Sequence, residues 1–226
     1  MQPPTVTMRR RTAHRLIASR YPSTGILDRV ARPEDLQAVF ELESWTNDRI
    51  STELGVLMRL PRDEWVMGQP MASVVMAAYC HPRPGGGRFN TGDRGAWYAS
   101  FSVETAHAEA SYHRGRELAE IGLTDARLEM RDYAAEFTAP FHDIRADRRE
   151  YRPLYDPDHY VRSQAFAQEL FAGGSNGILY RSVRHAGGTC LACFRPRLVA
   201  RVRVAGHYEY RWNGTTAPTI RRIPGE

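Results

Sequence analysis

The chain has 226 residues, 31 of them basic, and every basic residue is an arginine. Without lysine it can hold no P-loop, no Schiff-base or pyridoxal phosphate lysine and no kinase-type catalytic lysine. A net charge of +5, with 42% apolar and 25% charged residues, fits a globular chain with a core; it permits an anionic ligand without requiring nucleic acid.

Residues 1–12 are polar and read as a frayed tail. They lack the apolar stretch of a secretory signal, and no apolar run approaches the ~18 residues of a transmembrane helix. Three cysteines, an odd and small number, suit a reducing compartment. The expectation is a cytoplasmic protein without membrane contact. Ala13 to Ala18 reads as a first strand. Pro33, Glu34 and Asp35 read as a helix start, with Leu36, Val39, Phe40 and Leu42 as its apolar face. A second helix is expected from Asp48 to Leu60. Met71 to Tyr79 is apolar throughout, so periodicity leaves strand and helix both open.

His81 to Gly95 is a dense loop signal, followed by an aromatic strand from Ala96 to Phe101. Ser102 reads as the N-cap of a helix to about Glu120. Leu128 to Phe137 reads as strand. His159 to Ala172 reads as helix, stopped by Gly173. Gly177 to Arg184, Thr189 to Phe194 and Val199 to Tyr210 read as closing strands. Strands outnumber helices and cluster late, which predicts an α+β class.

The stretch from Gly85 to Glu120 joins several chemistry-bearing residues. Gly85, Gly86 and Gly87 let backbone approach a ligand, and Arg88 follows with a planar donor fork suited to a diphosphate. Tyr98 on the next strand can stack on a base. Glu109 lies on the following helix among small residues: Ala106, Ala108 and Ala110. Taken alone, these are also an ordinary loop, a strand tyrosine and a surface acid.

Three strings then resemble the RES-domain family: Gly86-Gly87-Arg88-Phe89-Asn90, Trp97-Tyr98-Ala99-Ser100, and Glu104-Thr105-Ala106-His107-Ala108-Glu109. Gly177 to Arg184, Gly187-Gly188 and Cys190 to Pro196 agree with it, as does the early Arg15-Leu16-Ile17. The resemblance spans roughly residues 13–200. It implies an ADP-ribosyltransferase-like split β-sheet with flanking helices, in one domain over 13–210. A helical insertion would occupy about 26–84, with tails at 1–12 and 211–226.

The resemblance further implies a toxin of a bacterial toxin–antitoxin pair that consumes NAD⁺. Glu109, Arg88 and Tyr98 would be catalytic. Arg88, Tyr98, Ser182 and Arg15 would bind the dinucleotide, and no metal is expected. Breaking the nicotinamide–ribose bond passes through an oxocarbenium-like state, which a fixed carboxylate stabilises.

The expected reaction is ADP-ribose transfer to a protein. The alternatives are NAD⁺ hydrolysis or phosphorolysis and, ranked lower, a non-catalytic NAD-binding module. Arginine-modifying transferases carry Glu-x-Glu; here the earlier position is His107, which weighs against an arginine acceptor. Lysine is excluded as a self-modification site. A cognate antitoxin is expected to form an oligomer with the chain and cover Arg88. The insertion would shape an acceptor or antitoxin surface, or simply pack on the core.

Other signals read as structural. Cys190 and Cys193 are three apart in a strand and point to opposite faces, against a shared metal or redox site. Asp156-Pro157-Asp158-His159 reads as a turn. Arg145, Arg148 and Arg149 read as a helix face balanced by Asp143, Asp147 and Glu150, not as a nucleic-acid surface.

Overall fold

The computed structural model describes residues 2–19, 26–29, 57 and 60–225. Among the described residues, nine strands form one mixed sheet: β1 (Thr5–Thr7), β2 (Arg11–Ala18), β3 (Trp97–Ser100), β4 (Asp125–Phe137), β5 (Pro140–Asp143), β6 (Gly177–Arg181), β7 (Thr189–Cys193), β8 (Ala200–Asn213) and β9 (Thr219–Ile223). Their order is β1-β5-β6-β7-β3-β2-β4-β8-β9, and among these described strands only the β5–β6 pairing is parallel. The described helices are α1 (Ile26–Arg29), α2 (Ala72–Cys80), α3 (Val103–Glu120) and α4 (Val161–Ala172). The α+β class is therefore observed.

The split in the sheet lies between β2 and β3. These strands pair at one position, His14 with Ser100, whereas β2 and β4 pair over all eight residues of β2. Strand alternation then sorts side chains onto two faces. Trp97, Ala99, Leu179, Leu191 and Cys193 face α2. Tyr98, Ile178, Tyr180, Cys190 and Ala192 lie on the opposite face with α4, while Met130, Tyr210 and Trp212 meet Leu118 of α3 on that side. Cys190 and Cys193 fall on opposite faces, as alternation requires, and all three cysteines are buried.

The ambiguous apolar run is helix α2. Seven of its nine residues are buried, which removes the amphipathic period that would have marked it. Its N-terminus is held by Asp28, whose carboxylate accepts from Met71 N at 2.8 Å and Ser73 N at 2.7 Å. This places an acid where exposed N–H groups need an acceptor. At α3, Ser102 Oγ accepts from Thr105 N at 3.2 Å, the predicted cap.

Several expectations change. The first twelve residues are not a loose tail: β1 pairs with β5, and Met8 is buried. The last segment is likewise ordered, because β8 runs on to Asn213 and β9 pairs with it. Both strands are short or charge-rich edge strands, so neither carries a strong apolar alternation. At α4, Gly173 keeps negative φ and Gly174 takes the left-handed turn, at φ +83°. Ser175 N→Leu170 O and Gly174 N→Phe171 O complete a Schellman motif. Arg145 and Arg148 lie outside any helix; a 3₁₀ turn spans Arg149–Tyr155, and Arg145 pairs with Asp143 at 2.7 Å. The helix expected from Pro33, and most of that from Asp48 to Leu60, lie outside the described residues.

Some arginines are structural rather than solvated. Glu64, nearly buried, is bound by both Arg94 and Arg195, whose guanidinium groups flank the Phe171 ring at 4.6 and 4.4 Å.

Candidate active site

The glycine loop is built to hold Arg88. Gly86 adopts φ +71°, open to glycine at little cost. Gly87 N bonds Asn90 O at 3.0 Å and Asn90 Oδ1 at 3.1 Å. Gln164 of α4 donates to the carbonyls of Gly85 and Gly87 at 2.8 and 3.0 Å. Tyr98 closes the loop from below: its hydroxyl donates to Asn90 Oδ1 and accepts from Phe89 N, each at 2.8 Å. Burial raises the Tyr98 pKa, so it remains a neutral phenol. Its hydroxyl is committed to the loop, and its ring packs against the core cluster on the α4 side of the sheet.

Arg88 is 7% exposed. Its Nη1 donates to Leu154 O at 3.0 Å and Asp156 O at 2.7 Å, and its guanidinium lies 4.8 Å from the centre of the Tyr160 ring. Among the described residues it forms no ion pair, and its Nε and Nη2 make no hydrogen bond. A nearly buried guanidinium without a carboxylate is costly unless an anion joins it.

Glu109 approaches from α3. Ser182 Oγ donates to Glu109 Oε1 at 2.6 Å and accepts from Arg184 N and His185 N at 3.1 and 3.0 Å. The Cys190 thiol lies 4.0 Å from the same carboxylate oxygen. Burial, then the Glu109 charge, pushes the Cys190 pKa up to about 12, so the thiol stays protonated. Tyr180 is raised well above its ordinary value by burial first, with contributions from Cys190 and Glu109. Arg88 acts on both groups in the opposite sense, so Arg88 and Glu109 both stand within electrostatic reach of Tyr180 and Cys190. The β6–β7 connection needs Gly188 here, since a Cβ at that position would stand 2.6 Å from Thr105 Oγ1.

Arg15 sits where β2 and β3 part. Its Nη1 donates to Tyr98 O at 3.2 Å, and its guanidinium lies 5.1 Å from the Trp97 ring centre. Its Nε is buried without a partner among the described residues, and burial lowers its pKa to about 10. Arg15 is therefore behind the Tyr98 strand rather than beside Glu109.

His107 turns the other way. Its Nδ1 is 2.5 Å from the Tyr210 hydroxyl and its ring meets Tyr208 edge-on, so it serves the β8 flank of α3. Burial lowers its pKa. Sequence reasoning passed over Tyr112 and His113, which follow Glu109 at helical spacing and share its side of α3. It also passed over Tyr160 and Arg184. The i+3 and i+4 positions were the signal available for the first two.

A model of the RES domain family matches residues 56–213. The chain belongs to the RES domain family. The match takes in Arg88, Tyr98, Glu109 and Ser182 and leaves Arg15 outside it. This RES-domain chain is 25% identical over 202 residues to an uncharacterised protein, y4oC, of Sinorhizobium fredii (strain NBRC 101917 / NGR234), covering 89% of the chain and 83% of that relative. Among solved structures it is similar to a chain of the M. tuberculosis MbcT-MbcA toxin-antitoxin complex. There the TM-score is 0.41 and the identity 15%, over 56% of this chain and 73% of the other.

Proposed function

We propose that this RES-domain protein cleaves the nicotinamide–ribose bond of NAD⁺ and acts as the toxin of a toxin–antitoxin pair. One observation carries the reading: a carboxylate fixed by a serine, Glu109 with Ser182, and a nearly buried arginine, Arg88, without a carboxylate partner among the described residues meet the same end of β6, where Phe89 packs on Tyr180, two residues before Ser182. Membership of the RES family supports the same chemistry.

In this reading Arg88 grips the diphosphate with its remaining donors, and Arg15 adds positive charge from behind Tyr98. The Tyr98 ring lies against nicotinamide. As the C1′–N1 bond breaks, its electron pair leaves with the nicotinamide nitrogen and positive charge grows on the ribose. The Glu109 carboxylate stabilises that charge and holds a ribose hydroxyl. Ser182 fixes the carboxylate's direction, which matters because a misplaced charge loses most of its effect.

The acceptor is the finer question. Transfer to a protein side chain is one reading. The turn of His107 toward Tyr210 favours an acceptor that needs no second activating group beside Glu109, namely water or phosphate. Incubation with adenylate-labelled NAD⁺ and cell extract separates these: labelled protein means transfer, free labelled ADP-ribose or its phosphate means hydrolysis or phosphorolysis. NAD⁺ returned intact overturns the proposal. We further propose that the antitoxin covers the Arg88 cleft; a complex that still binds NAD⁺ would contradict this.

A further inference from the structure

The turn Asp156-Pro157-Asp158-His159 joins the Arg88 loop to α3 and to the Ser182 loop. On one side Arg88 holds the carbonyls of Leu154 and Asp156, and Tyr160 stacks on its guanidinium. On the other side the Tyr112 hydroxyl donates to Asp158 Oδ1, with Arg116 at 3.5 Å and Arg184 at 3.9 Å from the same oxygen. Arg184 also donates to Pro157 O while its guanidinium covers the Tyr112 ring at 3.3 Å. Tyr112 is one helical turn from Glu109, and Arg184 N binds the serine that holds Glu109.

The two sides differ in strength. The root is buried: Leu154 is 6% exposed, and the Tyr155 hydroxyl donates to Ile144 O and accepts from Arg181 N. The turn itself is stiff, because Asp156 Oδ1 accepts from Asp158 N at 2.9 Å and His159 N at 2.8 Å, and Pro157 fixes its own φ. The ion pair with α3 is half-exposed, the Asp158 side chain at 51% and Arg116 at 49%, while Arg184 of the serine loop is 13% exposed. Exposed pairs of this kind hold weakly. A stiff segment with a firm root and a weak far end is the arrangement of a hinged strap.

We propose that residues 156–160 form a strap across the cleft between Arg88 and Glu109, latched to α3 by Tyr112, Arg116 and Arg184, which opens to admit the dinucleotide. This deepens the NAD⁺ reading by naming the entry step, and it rests on that reading for its ligand.

The test measures the strap without NAD⁺ first. Spin labels on His159→Cys and Ala119→Cys, both exposed positions, give one distance distribution for the latched strap by pulsed EPR; the native cysteines are buried. In a background of Tyr112→Phe with Asp158→Ala, the distribution gains a longer component, while the melting temperature confirms a folded chain. An unchanged distribution overturns the proposal. Unlabelled Tyr112→Phe/Asp158→Ala then shows kcat/KM for NAD⁺ raised several-fold; an unaltered or lowered kcat/KM also overturns it. If distances lengthen but the wild-type protein cleaves no NAD⁺, the strap stands and the assigned substrate falls.

Discussion

Replacing Ser182 with alanine isolates the contact on which the proposed chemistry depends. The change removes the 2.6 Å hydrogen bond to Glu109 Oε1 and the acceptor for Arg184 N and His185 N. A hydrogen bond to a charged group contributes about 1.5–3 kcal/mol. If that energy is expressed in the direction of the Glu109 carboxylate, turnover falls roughly 10- to 150-fold. The two N–H groups lie in a partly exposed loop where water replaces the lost oxygen. Their cost is therefore about 1 kcal/mol, a melting shift of roughly 2–4 °C for a chain of this size. Nicotinamide release under saturating NAD⁺, measured beside a melting curve, separates the two effects. The loss should appear in kcat with KM little changed, because Ser182 acts through Glu109 and not through the diphosphate. Wild-type kcat with a lowered melting point would show that Ser182 only ties its own loop, and the reasoning would fail.

Other consequences reach different parts of the site. Gly87→Ala would set a Cβ 2.7 Å from Asn90 Oδ1 and 2.8 Å from the Tyr98 hydroxyl, so the Arg88 loop must shift. Overpacking of this kind costs about 1–3 kcal/mol, and NAD⁺ cleavage should fall by roughly tenfold or more; unchanged melting and turnover would contradict the loop geometry. His113 offers a pH test, since burial, then Arg83, Arg184, Arg114 and Arg116, lower its pKa from 6.5 to about 4. The unfolded chain binds more protons in that window, so this residue's contribution is lost as pH falls from 6.5 toward 4. The limiting slope is about 1.4 kcal/mol per pH unit, reduced by partial exposure. His113→Gln should flatten the stability profile between those values, and equal slopes in urea titrations would refute the assignment.

Much of the site was readable in the sequence because its parts are local signals. A glycine run next to an arginine, an N-capping serine and a strand of aromatics each mark their own backbone, and the structure puts Arg88, Tyr98 and Glu109 on those elements. Ser182, which the resemblance assigned to the dinucleotide, is bonded to Glu109. What the sequence hid was direction. His107 and Glu109 are two residues apart on a helix, so they face different flanks, and only the packing of β8 tells which flank is which. Tyr98 read as a stacking ring, yet its hydroxyl ties the Arg88 loop, a contact across the strand that no spacing announces. Helix α2 was ambiguous because nearly all its faces are buried, and β1 and β9 were missed because edge strands gain their order from a neighbour rather than from their own pattern. The strap was visible only as a proline turn; its partners Tyr112 and Arg184 come from distant parts of the chain.

The central claim concerns Glu109, and Glu109→Gln tests it most directly. The amide keeps the volume and can still accept from Ser182, while the negative charge is removed. NAD⁺ titrated into the variant should bind within a few-fold of wild type, whereas nicotinamide release should fall by a factor on the order of 10²–10³. Release at the wild-type rate from Glu109→Gln would contradict the account.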